Sequence, residues 1–298
     1  MSTESFNARY LDLDTWPAED MVEAMLEGQF AAVAAVRARS AALARAAEAA
    51  AARLGDQGRL VYVGAGTSGR LAVQDGVELG PTFGWPRERL VFALAGGMQA
   101  LSASVEDAED DAEAGAAAMR DAGLGPADVV VALAASGITP FTVAAVAEAR
   151  RLGVLTIGMA NNEGAPLLAA AEHPVCLDTG GEVVAGSTRM KAGTAQKVAL
   201  NVLSTAIMVR LGRVYRGLMV DMRVSNRKLR ARGARMVAEV AGCGQEEAAA
   251  ALDRAGGGIK LASLLALGLE AAEAEALLAA SRGNLRRALE SLPRRPRN

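Results

Sequence analysis

Five short apolar runs bounded by small residues constrain this chain more than any other feature: Leu60–Val63, Leu90–Leu94, Val129–Leu133, Val154–Gly158 and Val175–Leu177. None alternates apolar with polar residues. Each therefore predicts a strand buried on both faces, the pattern of a parallel sheet. Between them lie stretches of helical character, Gly69–Leu79, Met98–Ala122, Pro140–Leu152 and Ala165–Ala171. Longer helical patterns come before, Ala18–Leu54, and after, Ser187–Leu211. Strand and helix in alternation specify an α/β fold, a doubly wound parallel sheet sandwiched by helices. Ligands bind such sheets beyond the carboxyl ends of the strands, which directs attention to the loops at Gly64, Ala95, Ala134 and Gly158.

The stretch from Val240 to Leu292 differs in kind. Three helical patterns, Glu246–Ala255, Ile259–Leu267 and Ala271–Leu289, are split by Gly256–Gly258 and by Gly268. They predict a small C-terminal three-helix domain. The expected organisation is an N-terminal segment with helices over 1–54, the α/β domain over 55–235, and the helical domain with a basic tail over 236–298. The tail arginines Arg286, Arg287, Arg294, Arg295 and Arg297 read as a solvated end.

Composition excludes several classes of function. Net charge is −2, so no overall basic field exists to hold nucleic acid. No apolar stretch of about 20 residues without charge predicts a membrane span. The opening Met1–Ser5 lacks the basic and apolar regions of a signal peptide, and the expectation is a cytoplasmic protein. Cys176 and Cys243 have neither metal-ligand spacing nor the density of a disulfide scaffold. With one histidine, His173, a histidine-based metal site is not expected.

The first strand runs into Gly64-Ala65-Gly66-Thr67-Ser68-Gly69-Arg70 and then a helix, which literally matches the dinucleotide fingerprint G-x-G-x-x-G. The acidic ribose clamp expected at the end of the second strand is absent, since that strand ends Ala93-Leu94-Ala95-Gly96-Gly97 and Glu88 precedes it. Thr67 and Ser68 suit a smaller anion at a helix N-terminus, such as a phosphate monoester, or simply cap the helix. Two further hydroxyl-bearing helix starts follow, at Ser136-Gly137-Ile138-Thr139 and at Ser187-Thr188-Arg189-Met190-Lys191. Three such starts together point to a sugar phosphate, which offers both an anion and hydroxyls.

Two acidic features stand out. Glu78, flanked by apolar residues and glycine near the end of the helix after the first loop, is either a desolvated carboxyl or an exposed helix-end residue. Glu106, Asp107, Glu109, Asp110 and Asp111 form a cluster in the next predicted helix. Most such runs are solvated faces, and residue chemistry alone does not single out a member.

The segments GAGTSGRLAVQDGVELGPTFG (64–84), AGGMQALSASVEDAEDD (95–111), AASGITPF (134–141), GGEVVAGSTRMKAGTAQK (180–197) and NVLSTAIMVRLGRVYRGLMVDMRVSNRKLR (201–230) closely resemble the N-acetylmuramic acid 6-phosphate etherases. TESFNARYLDLDT (3–15) resembles that family's opening, and the C-terminal helices resemble its ubiquitin-associated-like appendage. The resemblance covers nearly the whole chain, and its GSTRMKAGTAQK block is highly specific. It implies a sugar isomerase (SIS) fold and a homodimer whose active site draws on both subunits. It implies no metal and no nucleotide cofactor. By the family pattern, Glu78 and Glu109 would be the acid and the base of a lactyl-ether elimination; Glu106 is the fallback if Glu109 proves dispensable. Gly66, Thr67, Ser68, Ser136, Gly137, Thr139, Ser187, Thr188 and Lys191 would hold the sugar phosphate. Two positions depart from the family: Ile138 stands where Arg is usual, and Phe6 where Arg is common. Rival readings are a non-catalytic sugar-phosphate sensor like the glucokinase regulatory proteins, an aldose–ketose isomerase, and a nicotinamide dehydrogenase, the last undercut by the missing ribose clamp.

Overall fold

The computed structural model describes residues 3–103, 105 and 107–293. The five apolar runs become β1 (Leu60–Gly64), β2 (Leu90–Leu94), β3 (Val129–Leu133), β4 (Leu155–Ala160) and β5 (His173–Cys176). They form one parallel sheet in the order β2-β1-β3-β4-β5. Every residue of β1, β3 and β4 is buried, which is why these segments carry no alternation.

The helices are α1 (Ala18–Ala38), α2 (Ser40–Leu54), α3 (Gly66–Phe83), α4 (Ala112–Asp121), α5 (Pro140–Arg151), α6 (Pro166–Ala170) and α7 (Lys191–Arg210), followed by α8 (Arg227–Ala241), α9 (Gln245–Arg254), α10 (Ile259–Ala266), α11 (Ala271–Ala280) and α12 (Leu285–Glu290). One face of the sheet, with Val61, Val63, Val130 and Ala132, packs on Met119 of α4, Phe141 and Ala145 of α5 and Leu167 of α6. On the other face the Tyr62 hydroxyl donates to Asp75 of α3 at 2.6 Å. Asn201 and Ser204 of α7 donate to the second oxygen of Asp75 at 2.6 and 3.1 Å. Burial first, and then the charge of Asp75, raise the Tyr62 pKa well above its usual range, so the phenol stays a donor.

Four segments differ from the sequence expectation. The pattern over 18–54 is two helices, parted at Arg39, whose side chain donates to the Cys176 carbonyl at 2.9 Å. The pattern over 98–122 is a short 3₁₀ turn at Met98–Leu101 and then α4. Asp107 adopts φ 60° and Asp111 caps α4 by accepting from the Ala114 N–H, so the described members of the acidic cluster lie before the helix, not in it. The long helix opens at Lys191 rather than Ser187, because the buried Glu182 carboxylate accepts from the Lys191 and Ala192 N–H groups. The last pattern, 271–289, is broken at Arg282 and Gly283, both left-handed, and Asn284 caps α12.

Packing divides the chain into two units. The first, Met1–Val77 with Arg87–Ile207, holds the sheet; the second comprises Glu78–Pro86 and Met208–Asn298, and contains the stretch 236–298. Its core gathers Val220, Met222, Val237, Leu252, Ile259 and Leu264. There the Arg213 guanidinium donates to the Phe83 carbonyl at 2.8 Å and stacks on the buried Trp85. Lys260 donates to Asp221 at 2.5 Å and to the Gly283 carbonyl at 2.6 Å. Burial raises the Asp221 pKa and lowers that of Lys260, each against the pull of its partner. Among the described residues no helix is long and apolar enough to cross a membrane. Cys176 and Cys243 are free thiols whose pKa values burial pushes up.

One ionic contact anchors the entry to β3. Asp128, 5% exposed, accepts from the Arg59 guanidinium at 2.7 Å and from the main-chain N–H groups of Arg59 and Gly125 at 2.7 and 2.9 Å. Burial alone would raise its pKa; these donors outweigh burial and hold it below 3.8. A depressed folded pKa gives stability that is present above the unfolded value and is lost as pH falls through the folded one. Asp128→Asn is therefore expected to cost about 1–3 kcal/mol at neutral pH. In urea unfolding as a function of pH, its deficit against the parent should narrow as pH falls below 3.8.

Candidate active site

The strand order reverses between β1 and β3, and the loops that follow these two strands part there. The opening is a cleft of about 340 Å³ in the first unit. It is lined by Ala65–Ser68 and Arg70 after β1, Ala95, Ala100, Ala103 and Val105 after β2, and Ala134–Ser136 and Thr139 after β3. Glu4, Glu109 and Thr188 complete the lining.

Each loop is shaped by its local sequence. Gly66 has φ 51°, and a Cβ placed there would lie 2.9 Å from Oε1 of Glu109. The absent side chain is thus what lets the Glu109 carboxylate lie close over the start of α3. The first main-chain bond of that turn is Gly69 N–H to Ala65 C=O, so the N–H groups of Gly66, Thr67 and Ser68 precede the helical ladder and are placed for an anion. Gly137 has φ 73°, and a Cβ there would meet that of Ala165 at 2.4 Å and that of Ala160 at 2.8 Å. The Ser136 hydroxyl accepts from the Ile138 N–H at 3.3 Å and donates its own proton to no group among the described residues. Thr139 starts α5 without using its hydroxyl as a cap.

Of the residues expected from sequence, the cleft brings together Gly66, Thr67, Ser68, Glu109, Ser136, Thr139 and Thr188. Gly137 shapes a lining loop without facing the cleft. Ser187 lies in the turn before α7 and is not among the lining residues. Lys191 is buried, its stem beside Gly28, and it does not line the cleft either. Glu78 is exposed on α3 in the segment Glu78–Pro86, so of its two readings the exposed helix-end residue is the observed one. Glu106 lies outside the described residues. The two departures, Ile138 and Phe6, are both exposed.

Four polar contributors carry no expectation from sequence. Arg70 lines the cleft and donates to the Ala100 carbonyl at 3.0 Å. It is the last residue of the glycine loop, and its position one turn into α3 was the available signal. Glu4 reaches the cleft because Thr3 is pinned: its N–H donates to the Asn162 side chain at 2.9 Å, and Asn162 donates to the Ser136 carbonyl at 3.1 Å. Gln196 and Asn161, both buried, stand behind Ser68. Contacts spanning 128 or 159 residues leave no local pattern to read.

The arrangement can seat an anion on main-chain N–H groups and hydroxyls beside a carboxylate, Glu109, that no cation pairs among the described residues. Among the described residues, no group of three or more His, Cys, Asp or Glu side chains is arranged to hold a metal ion.

Residues 42–150 match the family described as the glucokinase regulatory protein N-terminal SIS domain, and residues 99–206 match the SIS domain. A Deinococcus radiodurans protein named N-acetylmuramic acid 6-phosphate etherase is 50% identical over 288 residues, covering 96% of this chain and 94% of its own length. A Rubrobacter xylanophilus protein of the same name is 47% identical over 288 residues, covering 96% and 95%. Among solved structures, a candidate phosphosugar isomerase involved in capsule formation from Bacteroides fragilis superposes with a TM-score of 0.51 at 20% identity. It covers 68% of this chain and 98% of its own, a likeness of fold.

The loop geometry makes a stability prediction. Gly137→Ala combines a left-handed φ with two contacts under 3.0 Å and should destabilise by about 2–4 kcal/mol. Gly125→Ala, with nothing within 4 Å of its new methyl group, should change stability by less than about 0.5 kcal/mol. Urea titration of the two variants side by side checks both.

Proposed function

The chain belongs to the N-acetylmuramic acid 6-phosphate etherase family, and from that membership we propose that its cleft eliminates D-lactate from N-acetylmuramic acid 6-phosphate in cell-wall sugar recycling. The observation that carries the proposal is the Glu109 carboxylate lying over the start of α3, beside main-chain N–H groups suited to a phosphate. The phosphate sits at Gly66, Thr67 and Ser68, with Ser136, Thr139 and Thr188 taking phosphate oxygens or sugar hydroxyls. Ser187 and Lys191, set back from the cleft, support the Thr188 turn.

An ether is a poor leaving group, and the chemistry follows from that. Opening the sugar ring frees the C1 aldehyde, which acidifies the proton on C2. Glu109 takes that proton. The electron pair forms the C2–C3 double bond as the C3–O bond breaks, and Glu78 gives a proton to the departing ether oxygen. Water then adds at C3, leaving N-acetylglucosamine 6-phosphate. The two carboxyls must hold opposite protonation states for this to run near neutral pH.

Glu78 is exposed and does not line its own cleft, so we assign it to the shared site of a homodimer. The first unit offers a face for such pairing. Phe30 and Val33 of α1 stand exposed, and Val33, Val36, Leu43, Val198 and Val202 line an apolar groove of about 350 Å³. The protein acts in the cytoplasm on a small sugar phosphate, without nucleic acid or membrane as partner.

A second reading is favoured by the match of residues 42–150 to a regulatory-protein domain: a sensor that binds the sugar phosphate and leaves it intact. Release of D-lactate from N-acetylmuramic acid 6-phosphate, followed with D-lactate dehydrogenase, separates the two. Steady release is expected, with Glu109→Gln and Glu78→Gln each lowering turnover by about 10²–10⁴-fold without loss of fold. Near-parental turnover in both variants would sink the assignment, and tight binding with no lactate would favour the sensor. A sugar 6-phosphate at about 100 times its Kd should also stabilise the native state by about 2.7 kcal/mol in thermal unfolding.

A further inference from the structure

Behind the cleft runs a chain of buried side-chain hydrogen bonds whose direction is fixed at one end. The Leu177 main-chain carbonyl can only accept, and it accepts from Nδ2 of Asn161 at 2.8 Å. That orients the Asn161 amide and turns its Oδ1 toward Gln196, which donates through Nε2 at 3.1 Å. Gln196 is then also oriented, with Oε1 facing Ser68, and the Ser68 hydroxyl donates to it at 2.9 Å. Asn161 is 0% exposed and Gln196 1%, so no bulk water is at hand to replace a broken link. Reversing either amide would set oxygen against oxygen at Leu177 or at Asn161.

A serine hydroxyl has one proton and two acceptor positions. With its proton committed to Gln196, Ser68 presents only lone pairs to the cleft it lines. An ionised phosphate monoester has only acceptors and makes no hydrogen bond with such a group. Ser136 and Thr139 are the opposite case, since neither hydroxyl donates its proton to another group among the described residues.

We propose that Ser68 recognises the ligand as a hydrogen-bond acceptor, reading an O–H or N–H of the sugar, and that Gln196 and Asn161 are positioning residues that impose this polarity. The inference rests on the sugar-phosphate reading of the cleft and divides the work of one residue. The Ser68 main-chain N–H faces the anion, while its side chain selects for a donor on the carbohydrate. A ligand with a phosphate but no donor nearby would lose this contact, which makes Ser68 a specificity determinant rather than a phosphate ligand through its hydroxyl.

Two probes at pH 8.5 separate the cases: N-acetylglucosamine 6-phosphate, which carries hydroxyl and amide donors, and methyl phosphate, a dianion with acceptors only. Calorimetric or competition titration of the full-length protein gives both affinities. Ser68→Ala is expected to weaken the sugar phosphate about five- to tenfold and methyl phosphate less than about twofold. Gln196→Met, which releases the Ser68 proton, should tighten methyl phosphate while weakening the sugar phosphate; damage to the fold alone would weaken both. Equal weakening of both probes by Ser68→Ala would overturn the proposal, as would an unchanged affinity for the sugar phosphate. If the parent protein bound neither probe, the sugar-phosphate reading itself would fall, a result distinct from either of these.

Discussion

The site exists because β1 and β3 are neighbours whose chains leave on opposite faces of the sheet. Gly64 and Leu133 end the two strands side by side. From there one chain enters α3, whose Asp75 is bonded to Tyr62 on one face, and the other enters α5, whose Phe141 packs in the core of the opposite face. Two diverging backbones cannot cover the gap between them, and it opens at the amino ends of two helices. Each end carries roughly half a positive charge from its unpaired N–H groups. The charged side chains that line this cleft are Glu4, Arg70 and Glu109. For the proposed sugar phosphate, main chain more than lysine or arginine would supply the attraction, which leaves carboxylates free to stand in the same space.

A site built on main-chain groups needs its loops held from behind, and α7 does that work. Asn201 and Ser204 meet Asp75 and through it Tyr62 of β1, while Gln196 meets Ser68 and Asn161. Asn161 also donates its main-chain N–H to the Ala135 carbonyl at 2.9 Å. The helix therefore registers the loops after β1, β3 and β4 against one rod. These polar groups sit in a layer otherwise made of Ala192, Ala195, Ala199 and Leu203, where an unpaired one would be costly. Mutual satisfaction makes the layer specific: displacing one loop strands donors in the others.

The strands were legible because burial on both faces leaves a continuous apolar run, and the ends of β1, β2 and β3 fell within a residue of expectation. The helix over 98–122 was misread for a physical reason. Ala-rich and acidic residues there satisfy helical periodicity, yet Asp107 is left-handed and α4 starts only after Asp111, which caps it, and neither is visible in periodicity. The hydroxyl loops were legible as helix starts. Which of the helix-start residues line the cleft was not, because α7 is capped at the Lys191 and Ala192 N–H groups by Glu182, nine and ten residues earlier. Glu4 and Gln196 were hidden for the same reason: their roles are set by distant partners.

Two glutamates of the first unit, Glu182 and Glu109, show what separates a structural carboxylate from one proposed to be reactive. Glu182 is 0% exposed and spends both oxygens on N–H groups of α7, so a proton transferred to it would break the cap that starts the helix. Glu109 is positioned by its main chain instead. Its carbonyl accepts from the Phe141 N–H at 3.1 Å, and Phe141 is 4% exposed in the core. The residue is thus fixed by the same packing that fixes α5, while its carboxylate makes no ion pair among the described residues and lies 2.9 Å from where a Cβ on Gly66 would stand. A general base must be held in place yet keep a lone pair unspent. Anchoring through the backbone meets both demands for the base proposed at Glu109, whose bond to Phe141 and place over Gly66 both depend on its lying before α4.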